Sequence, residues 1–252
     1  MTVEEARRLF PRGLAQPEGG FRFGADALLL ACFAAPSPGR RVLDLGTGCG
    51  PAGLGLLLAR NDDATAVLGL DKDPDMARAA AANAELLGLS ARFTALCRDV
   101  REIRDEPLAP AQGFDLVLAN PPYRAPSSGR RAATPGRDAA RFETDGGLPA
   151  FAAAAAYALT TGGLLALVHL AERLAHVTTV LAAAGLEIKR LLPVAARHGA
   201  PARQMLVLAR RNGRPGLRLE APLALYEGAG PATRLSAEAL RFCPFLACNA
   251  GQ

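Results

Sequence analysis

The chain has 252 residues, of which 50% are hydrophobic and 21% are charged, and its formal net charge is +5. This length suits one α/β domain with a sizeable core, and no segment is charged densely enough to indicate disorder. Five cysteines without a C-x-x-C pair favour a reducing compartment, and the charged amino terminus is not typical of a secretory signal. We therefore expect a cytoplasmic protein that permits an anionic partner without demanding one, and we expect no membrane segment.

The first predicted elements are a helix and a buried strand. Residues 1–20 look irregular, and the apolar run at 27–35 predicts a helix that ends before Pro36. Asp26 stands just ahead of this run, where an N-cap or first-turn acid belongs. A buried strand is then predicted at 41–45.

A glycine-rich loop joins this strand to the next predicted helix, at 54–60. Glycines at positions 46, 48, 50 and 53 allow a tight turn and leave no side chains between the backbone and a ligand. The spacing also fits a dinucleotide loop. However, Asp44 precedes the loop, and its carboxylate would repel a pyrophosphate but tolerate the ammonium group of S-adenosylmethionine.

Two further acids follow the next two predicted strands. The strand at 66–70 ends in Asp71, which is placed to accept hydrogen bonds from ribose hydroxyls. A helix capped by Asp73 follows, and the strand at 92–97 leads to Asp99 and Val100. At the end of this third strand, the Asp99 carboxylate can accept a hydrogen bond from the exocyclic amine of a cofactor adenine, while Val100 packs on the ring. Such strand ends are where open α/β sheets bind ligands.

The predicted fourth strand, at 114–119, is followed by the motif Asn120-Pro121-Pro122-Tyr123. The two prolines stop the strand because neither supplies an N–H, and they hold Asn120 extended. The amide of Asn120 can then bind a ligand amino group. An isolated motif of this kind is also typical of a turn with a packing aromatic, but the glycine loop and the three acids favour a site.

The rest of the chain predicts a long loop, alternating helices and strands, and a C-terminal segment. The loop at 124–147 carries five arginines, and loops of this length are usually functional or mobile. The region at 197–219 contains no acid, and its composition suits either phosphate contacts or a solvated strand and loop edge. It carries six arginines, at positions 197, 203, 210, 211, 214 and 218. We assign no catalytic role to the three histidines and predict no metal site.

The predicted later elements are a helix at 148–159, a strand at 164–168, a helix at 171–184 and strands at 186–194 and 203–209. We expect one domain, with an N-terminal cap at 1–36, a cofactor-binding core at 37–210 and a C-terminal cover at 211–252.

The order of these motifs resembles a known family. Asp44-x-Gly46-x-Gly48, Asp71, Asp99 and then Asn120-Pro121-Pro122-Tyr123 resemble the class I S-adenosylmethionine-dependent methyltransferases that modify planar nitrogens in adenine or in glutamine amides. More narrowly, the segment from Phe21 to Leu30, with Phe23, Gly24 and Asp26, and the pair Ala140-Arg141 are similar to the bacterial tRNA N6-adenine methyltransferases. Those enzymes act on the adenine just 3′ of the anticodon in a valine tRNA.

The resemblance, which spans residues 21–210, implies a fold, a cofactor and a set of site residues. The implied fold is Rossmann-like, a seven-stranded and mostly parallel sheet with an antiparallel last strand and helices on both faces. The implied cofactor is S-adenosyl-L-methionine, and the expected partner is tRNA or another structured RNA, with no obligatory protein partner. The expected cofactor-binding residues are Phe23, Asp26, Asp44, Gly46, Gly48, Gly50, Asp71, Lys72, Asp99, Val100 and Asn120. The expected catalytic residues are Asn120, Pro121, Pro122 and Tyr123, and the expected substrate-binding residues are Tyr123, Arg124, Arg141, Arg197 and Arg203.

The chemistry implied for the motif is electrostatic. The lone pair of an exocyclic adenine N6 or an amide nitrogen is delocalised, so the nitrogen is a poor nucleophile. Hydrogen bonds accepted by Asn120 and by the Pro121 carbonyl would favour a more tetrahedral nitrogen, and Tyr123 would stack on the target ring. An RNA base must be splayed out to reach such a pocket.

Three alternatives remain open at the level of sequence. A release-factor-type glutamine methyltransferase uses the same four residues on an amide, but such proteins carry an additional helical N-terminal domain. A non-catalytic RNA-binding relative is a second alternative, against which the intact glycine loop and the acids argue. The third is a small-molecule methyltransferase.

Overall fold

The computed structural model describes residues 2–18, 22–60, 62–122 and 147–249. The large sheet contains β1 (Arg41–Leu45), β2 (Ala66–Asp71), β3 (Phe93–Cys97), β4 (Phe114–Ala119), β5 (Leu159–Leu170), β6 (Leu186–Ala195), β7 (Ala202–Arg211), β8 (Arg218–Leu219) and β9 (Leu223–Ala224). A separate pair is formed by β10 (Tyr226–Glu227) and β11 (Arg234–Leu235). The α-helices are α1 (Val3–Leu9), α2 (Ala25–Ala34), α3 (Pro51–Arg60), α4 (Pro74–Leu86), α5 (Gly147–Ala158), α6 (Leu174–Ala183) and α7 (Ala237–Phe242).

The strand order of the large sheet is β3-β2-β1-β4-β5-β7-β6. Strands β1 to β5 pair in parallel, whereas β7 lies antiparallel between β5 and β6. This arrangement confirms the predicted Rossmann-like sheet with an antiparallel last strand. It differs in size, because the two-residue strands β8 and β9 also pair in parallel with β6.

Helices cover both faces of the sheet, because the buried strands carry apolar side chains on each side. One apolar cluster joins the sheet to α1, α2, α3, α4 and the C-terminal residues. The other cluster joins the opposite face to α5, α6 and the short 3₁₀ helix Val100–Asp105. Among the described residues, no helix combines the length and the apolar character that a membrane crossing requires.

Two parts of the chain differ most from the prediction. The first twenty residues contain the helix α1, whose amino terminus is a capping box: the Thr2 hydroxyl accepts from the Glu5 N–H, and the Glu5 carboxylate accepts from the Thr2 N–H. Strand β5 begins at Leu159, not at residue 164. The predicted turn at 160–163 is an irregular start to this strand, where Gly162 has φ +82° and the register with β4 shifts.

The C-terminal residues pack against the N-terminal helices. Ser236 caps α7 by accepting from the Ala239 N–H at 3.0 Å. Beyond α7, Phe245 meets Phe10 edge to face, with ring centroids 4.8 Å apart. The Cys243 thiol donates to the Leu28 carbonyl in α2 at 3.4 Å. The two ends of the chain therefore share one apolar cluster.

Candidate functional site

The polar residues predicted at the strand ends lie along one edge of the sheet. The neighbours β3, β2, β1 and β4 are parallel, so their carboxyl ends meet at the same edge. This edge carries Asp44, Asp71, Asp99 and Asn120. The chain order of the strands reverses between β1 and β4, and such a switch point opens a crevice for ligands.

Asp44 is a buried carboxyl group at the start of the glycine loop. It is 2% exposed, and its Oδ2 accepts from the Thr47 hydroxyl at 2.7 Å and from the Gly53 N–H at 3.0 Å. Burial raises the pKa of Asp44 to about 7, while these two hydrogen bonds oppose the rise and the charge of Asp71 adds to it. Both bonds use Oδ2, so Oδ1 is the oxygen that remains for a ligand.

The glycine loop folds with three residues in the left-handed region: Gly46 at φ +65°, Gly48 at φ +57° and Gly50 at φ +92°. A Cβ on Gly46 would approach the Phe151 ring of α5 to 3.0 Å, whereas a Cβ on Gly48 would meet nothing within 4 Å. The loop therefore packs against α5 at Gly46, whereas the space beside Gly48 is open. Glycine adopts these conformations more readily than residues with a Cβ, and the open side gives a ligand access to the backbone.

Asp71 fastens the glycine loop to β2. Its Oδ2 accepts from the Gly48 N–H at 2.8 Å, and its Oδ1 accepts from the Asp73 N–H at 2.9 Å. Burial raises the pKa of Asp71 above its usual value. Each carboxylate oxygen can accept a second hydrogen bond, so Asp71 can still receive ribose hydroxyls. Lys72, the next residue, is exposed.

Asp99 is engaged in an ion pair that its sequence position did not reveal. Its carboxylate oxygens lie 3.0 Å from Arg101 Nε and 2.7 Å from Arg101 Nη2, and Oδ1 also accepts from the Arg101 N–H. These hydrogen bonds from Arg101 lower the pKa of Asp99. Val100 is buried beside it at the start of the 3₁₀ helix.

Asn120 directly follows β4 and carries a buried acceptor. Among the described residues, its Oδ1 is buried and has no hydrogen-bond partner. Leaving such an oxygen unpaired costs about 1–3 kcal/mol, and native proteins rarely leave one without a ligand or water. Pro121 is buried and Pro122 is half-buried. Tyr123 lies outside the described residues.

The remaining predicted cofactor residues stand at the start of α2. Phe23 is half-buried against the apolar cluster that contains α2. Asp26 lies in the first turn of the helix and is 5% exposed. Its Oδ1 accepts from the Ala27 N–H at 3.0 Å.

The six arginines at 197–218 do not form one continuous surface. Arg197 and Arg203 lie where β6 ends and β7 begins, at the same edge as Asn120, because β6 runs parallel to β5. Arg210, at the other end of β7, is seven residues from Arg203, which corresponds to roughly 23 Å along the strand. The Arg197 guanidinium also donates to the Gly228 carbonyl and to the Thr233 hydroxyl. Arg124 and Arg141 lie outside the described residues.

Two buried side chains that support the loop were not predicted. Thr47 binds Asp44, as described above. Asn83 of α4 donates through Nδ2 to the Cys49 carbonyl at 2.9 Å and to the Ala15 carbonyl at 3.0 Å, and its Oδ1 accepts from the Ala15 N–H at 2.7 Å. A polar residue on the apolar side of a predicted helix is the signal that would have pointed to Asn83.

Comparison with known proteins identifies relatives of this chain. The model of the methyltransferase small domain family matches residues 23–184. A tRNA1(Val) (adenine(37)-N6)-methyltransferase from Porphyromonas gingivalis is 32% identical over 177 residues, which cover 69% of this chain and 68% of that protein. A protein of the same name from Enterobacter sp. is 30% identical over 155 residues, or 62% of this chain and 61% of that protein. The match with a Salmonella arizonae protein of that name likewise covers 61% of its length.

Solved structures share the architecture. A protein from Agrobacterium tumefaciens described as a predicted O-methyltransferase is 26% identical, with a TM-score of 0.66 and coverage of 87% of this chain and 96% of that one. The methyltransferase subunit of a type I restriction-modification system from Streptococcus thermophilus has a TM-score of 0.62 at 18% identity, over 96% of this chain and 56% of that one. This second likeness concerns the fold alone. By the family match, which covers the sheet edge described above, the chain belongs to the methyltransferase small domain family, whose cofactor is S-adenosyl-L-methionine.

Proposed function

We propose that this protein transfers the methyl group of S-adenosyl-L-methionine to the exocyclic N6 of an adenine in RNA, with a tRNA adenine near the anticodon as the substrate. The observation that carries the proposal is the buried Asn120 Oδ1, which has no hydrogen-bond partner among the described residues. It lies at the switch point of the sheet, directly after β4, which pairs with the strand that leads into the glycine loop. An amino group on a planar ring would supply the missing donor.

The residues of the sheet edge fit the cofactor in chemical type. We assign Asp44 to the ammonium group, the loop glycines to the backbone contacts and Asp71 to the ribose hydroxyls. Asp99 and Val100 are assigned to the adenine ring of the cofactor. Asp99 would then share its carboxylate between the exocyclic amine of that ring and Arg101. Further contacts are assigned to Phe23, Asp26 and Lys72. The open side of Gly48, where a Cβ would meet nothing within 4 Å, supports this fit.

The residues assigned to catalysis act mainly as hydrogen-bond acceptors for the target amino group. When bound, S-adenosyl-L-methionine supplies an electrophilic methyl group. Asn120 Oδ1 and the Pro121 carbonyl accept the two N–H groups of the target and so localise the lone pair on its nitrogen. Single contacts of this preorganised kind are worth roughly 10²–10³ in rate. Tyr123 is assigned to stacking on the target ring.

The choice of RNA rests on charge and on the relatives. The curated relatives reported above carry the name tRNA1(Val) (adenine(37)-N6)-methyltransferase. Arg197 and Arg203 are exposed at the edge that carries Asn120, where they can bind backbone phosphates. Arg124 and Arg141 are assigned to the same role.

Kinetics of Asn120 variants test the proposal. Asn120→Ala should lower kcat for tRNA methylation by at least about 10²-fold, while the Kd for S-adenosyl-L-methionine changes by less than about threefold. Asn120→Asp keeps an acceptor at the same place and serves as the matched variant, so it should retain far more activity than Asn120→Ala. Equal loss in both variants, or loss of cofactor binding in parallel with the rate, would contradict the role given to Asn120.

A further inference from the structure

Thr47 is held in one position by three hydrogen bonds. Its N–H donates to the Leu70 carbonyl of β2 at 2.9 Å, and its own carbonyl accepts from the Gly50 N–H at 2.9 Å. Its hydroxyl donates to Asp44 Oδ2 at 2.7 Å. The side chain is only 3% exposed. Thr47 thus links the end of β1, the glycine loop and β2.

Strand β2 leaves room for this side chain. A Cβ on Gly69 would lie 2.9 Å from both Thr47 Oγ1 and Thr47 Cγ2, a separation that real contacts do not show. Gly69 pairs with Asp44 across the two strands. The missing side chain at position 69 therefore creates the space in which the Thr47 hydroxyl turns toward the carboxylate.

We propose that Thr47 is a positioning residue that orients Asp44 and keeps it ionised for the ammonium group of the cofactor. The inference rests on the proposed function, because it takes Asp44 as the partner of that ammonium group. Asp44 uses Oδ2 for its bonds to Thr47 and Gly53, so the Thr47 hydroxyl also fixes which oxygen faces the ligand.

The charges around Asp44 make its ionisation sensitive to one hydrogen bond. Burial raises the pKa of Asp44 to about 7, and the bond from Thr47 is the largest effect that opposes the rise. Asp71 of β2 faces Asp44 and raises its pKa further. In the loop, burial raises the pKa of the Cys49 thiol to about 12, so it stays neutral near pH 7.

The other elements around Asp44 add little charge near it. Helix α3 carries charge only at its last residue, Arg60, and β4 only at Asp115, near its amino end. Helix α5, which packs on the loop through Phe151, has no charged residue. Removing the Thr47 donor should therefore move the titration of Asp44 to higher pH.

The pH dependence of the cofactor affinity in Thr47 variants tests this inference. In the wild type, the Kd for S-adenosyl-L-methionine, measured by calorimetry from pH 5.5 to 8.5, should rise as the pH falls below about 7. In Thr47→Val, which keeps the shape but lacks the donor, the midpoint should move up by at least half a pH unit. The affinity at pH 7 should then be at least about twofold weaker, because the ionised fraction of Asp44 falls from one half to about one quarter. Thr47→Ser keeps the hydroxyl and should retain the wild-type midpoint.

Two further measurements separate this role from a merely structural one. In the protein without cofactor, the ¹³C resonance of the Asp44 carboxyl should titrate at higher pH in Thr47→Val than in the wild type and Thr47→Ser. Gly69→Ala, which crowds Thr47 from β2, should shift the midpoint in the same direction. A Thr47→Val variant that binds more weakly by the same factor at every pH would overturn the inference and leave the proposed function standing. A wild type that binds no S-adenosyl-L-methionine at any pH would overturn both.

Discussion

Asp44 is the buried carboxyl group that couples folding to pH. Its folded pKa of about 7 lies above the value of about 3.9 expected in an unfolded chain, so folding favours the protonated form. The stabilisation is fully present below about pH 4 and is lost as the pH rises through 7. Ionisation of Asp44 at neutral pH therefore lowers the stability of the folded protein.

Asp44→Asn should remove this dependence on pH. We expect the free energy of unfolding of the wild type to fall, relative to the variant, by about 3 kcal/mol between pH 5 and pH 8. Any cost of the substitution that does not depend on pH cancels in this difference. Urea unfolding at both pH values is the measurement, and a difference that stays constant within about 0.5 kcal/mol would contradict the account of Asp44.

The positions of the polar residues along this sheet edge could be predicted from sequence only in part. Asp71 and Asn120 were visible because each directly follows an apolar run that predicts a buried strand, and Asp44 was visible because it precedes the glycine loop. The partners of these residues were not visible: Asp71 also holds Gly48, and Asp99 pairs with Arg101. Such contacts depend on loop conformation, and hydrophobic periodicity carries no information about it.

At the scale of elements, Asn83 connects helix α4 to both the glycine loop and the N-terminal segment. Its three hydrogen bonds reach the backbone of Cys49 and Ala15, and the side chain is 1% exposed. Asn83→Ala would leave these backbone groups unpaired, at a cost of about 2–4 kcal/mol in the free energy of unfolding. Chemical denaturation measures this cost.

Glu85→Ala, at an exposed position of the same helix, is the matched control for Asn83→Ala. It should change the free energy of unfolding by no more than about 0.5 kcal/mol. Equal stability of the two variants would show that the contacts of Asn83 do not support the loop.

The helices and strands could be predicted where one hydrophobic pattern runs through the whole element. Strands β1, β2 and β4 are short and mostly apolar, so their positions agreed with the sequence. Helix α1 was missed because only seven residues form it, although Thr2 and Glu5 already had the spacing of a capping box. The start of β5 was missed because Gly162 and Gly163 are typical of a turn, whereas here they form an irregularity within the strand.

At the scale of the whole molecule, strand direction divides the arginines between two edges. Sequence proximity suggested one basic region, but antiparallel β7 carries Arg203 to the edge of the site and Arg210 to the opposite edge. The predicted strand at 203–209 already placed Arg203 and Arg210 at opposite ends, but which end lies at the edge of Asn120 depends on the pairing of β7 between β5 and β6.

This division predicts different effects on RNA binding. Arg203→Ala should weaken tRNA binding about three- to tenfold and lower the slope of log K against log salt by about one. Arg214→Ala, an equal change of charge at an exposed position beyond the opposite end of β7, should leave both values unchanged. Salt-dependent filter binding measures both variants, and equal effects would indicate that RNA does not bind at the edge of the site.

The most direct test of the account is the identity of the methylated atom. The protein would be incubated with deuteromethyl-labelled S-adenosyl-L-methionine in three separate reactions, which contain bulk tRNA, a release factor or DNA. Mass spectrometry of the digested nucleosides and peptides then locates the label. We expect labelled N6-methyladenosine in tRNA, at a level that Asn120→Ala lowers by at least about 10²-fold. Label found only on glutamine of the release factor, or only on hydroxyl oxygen, would contradict it.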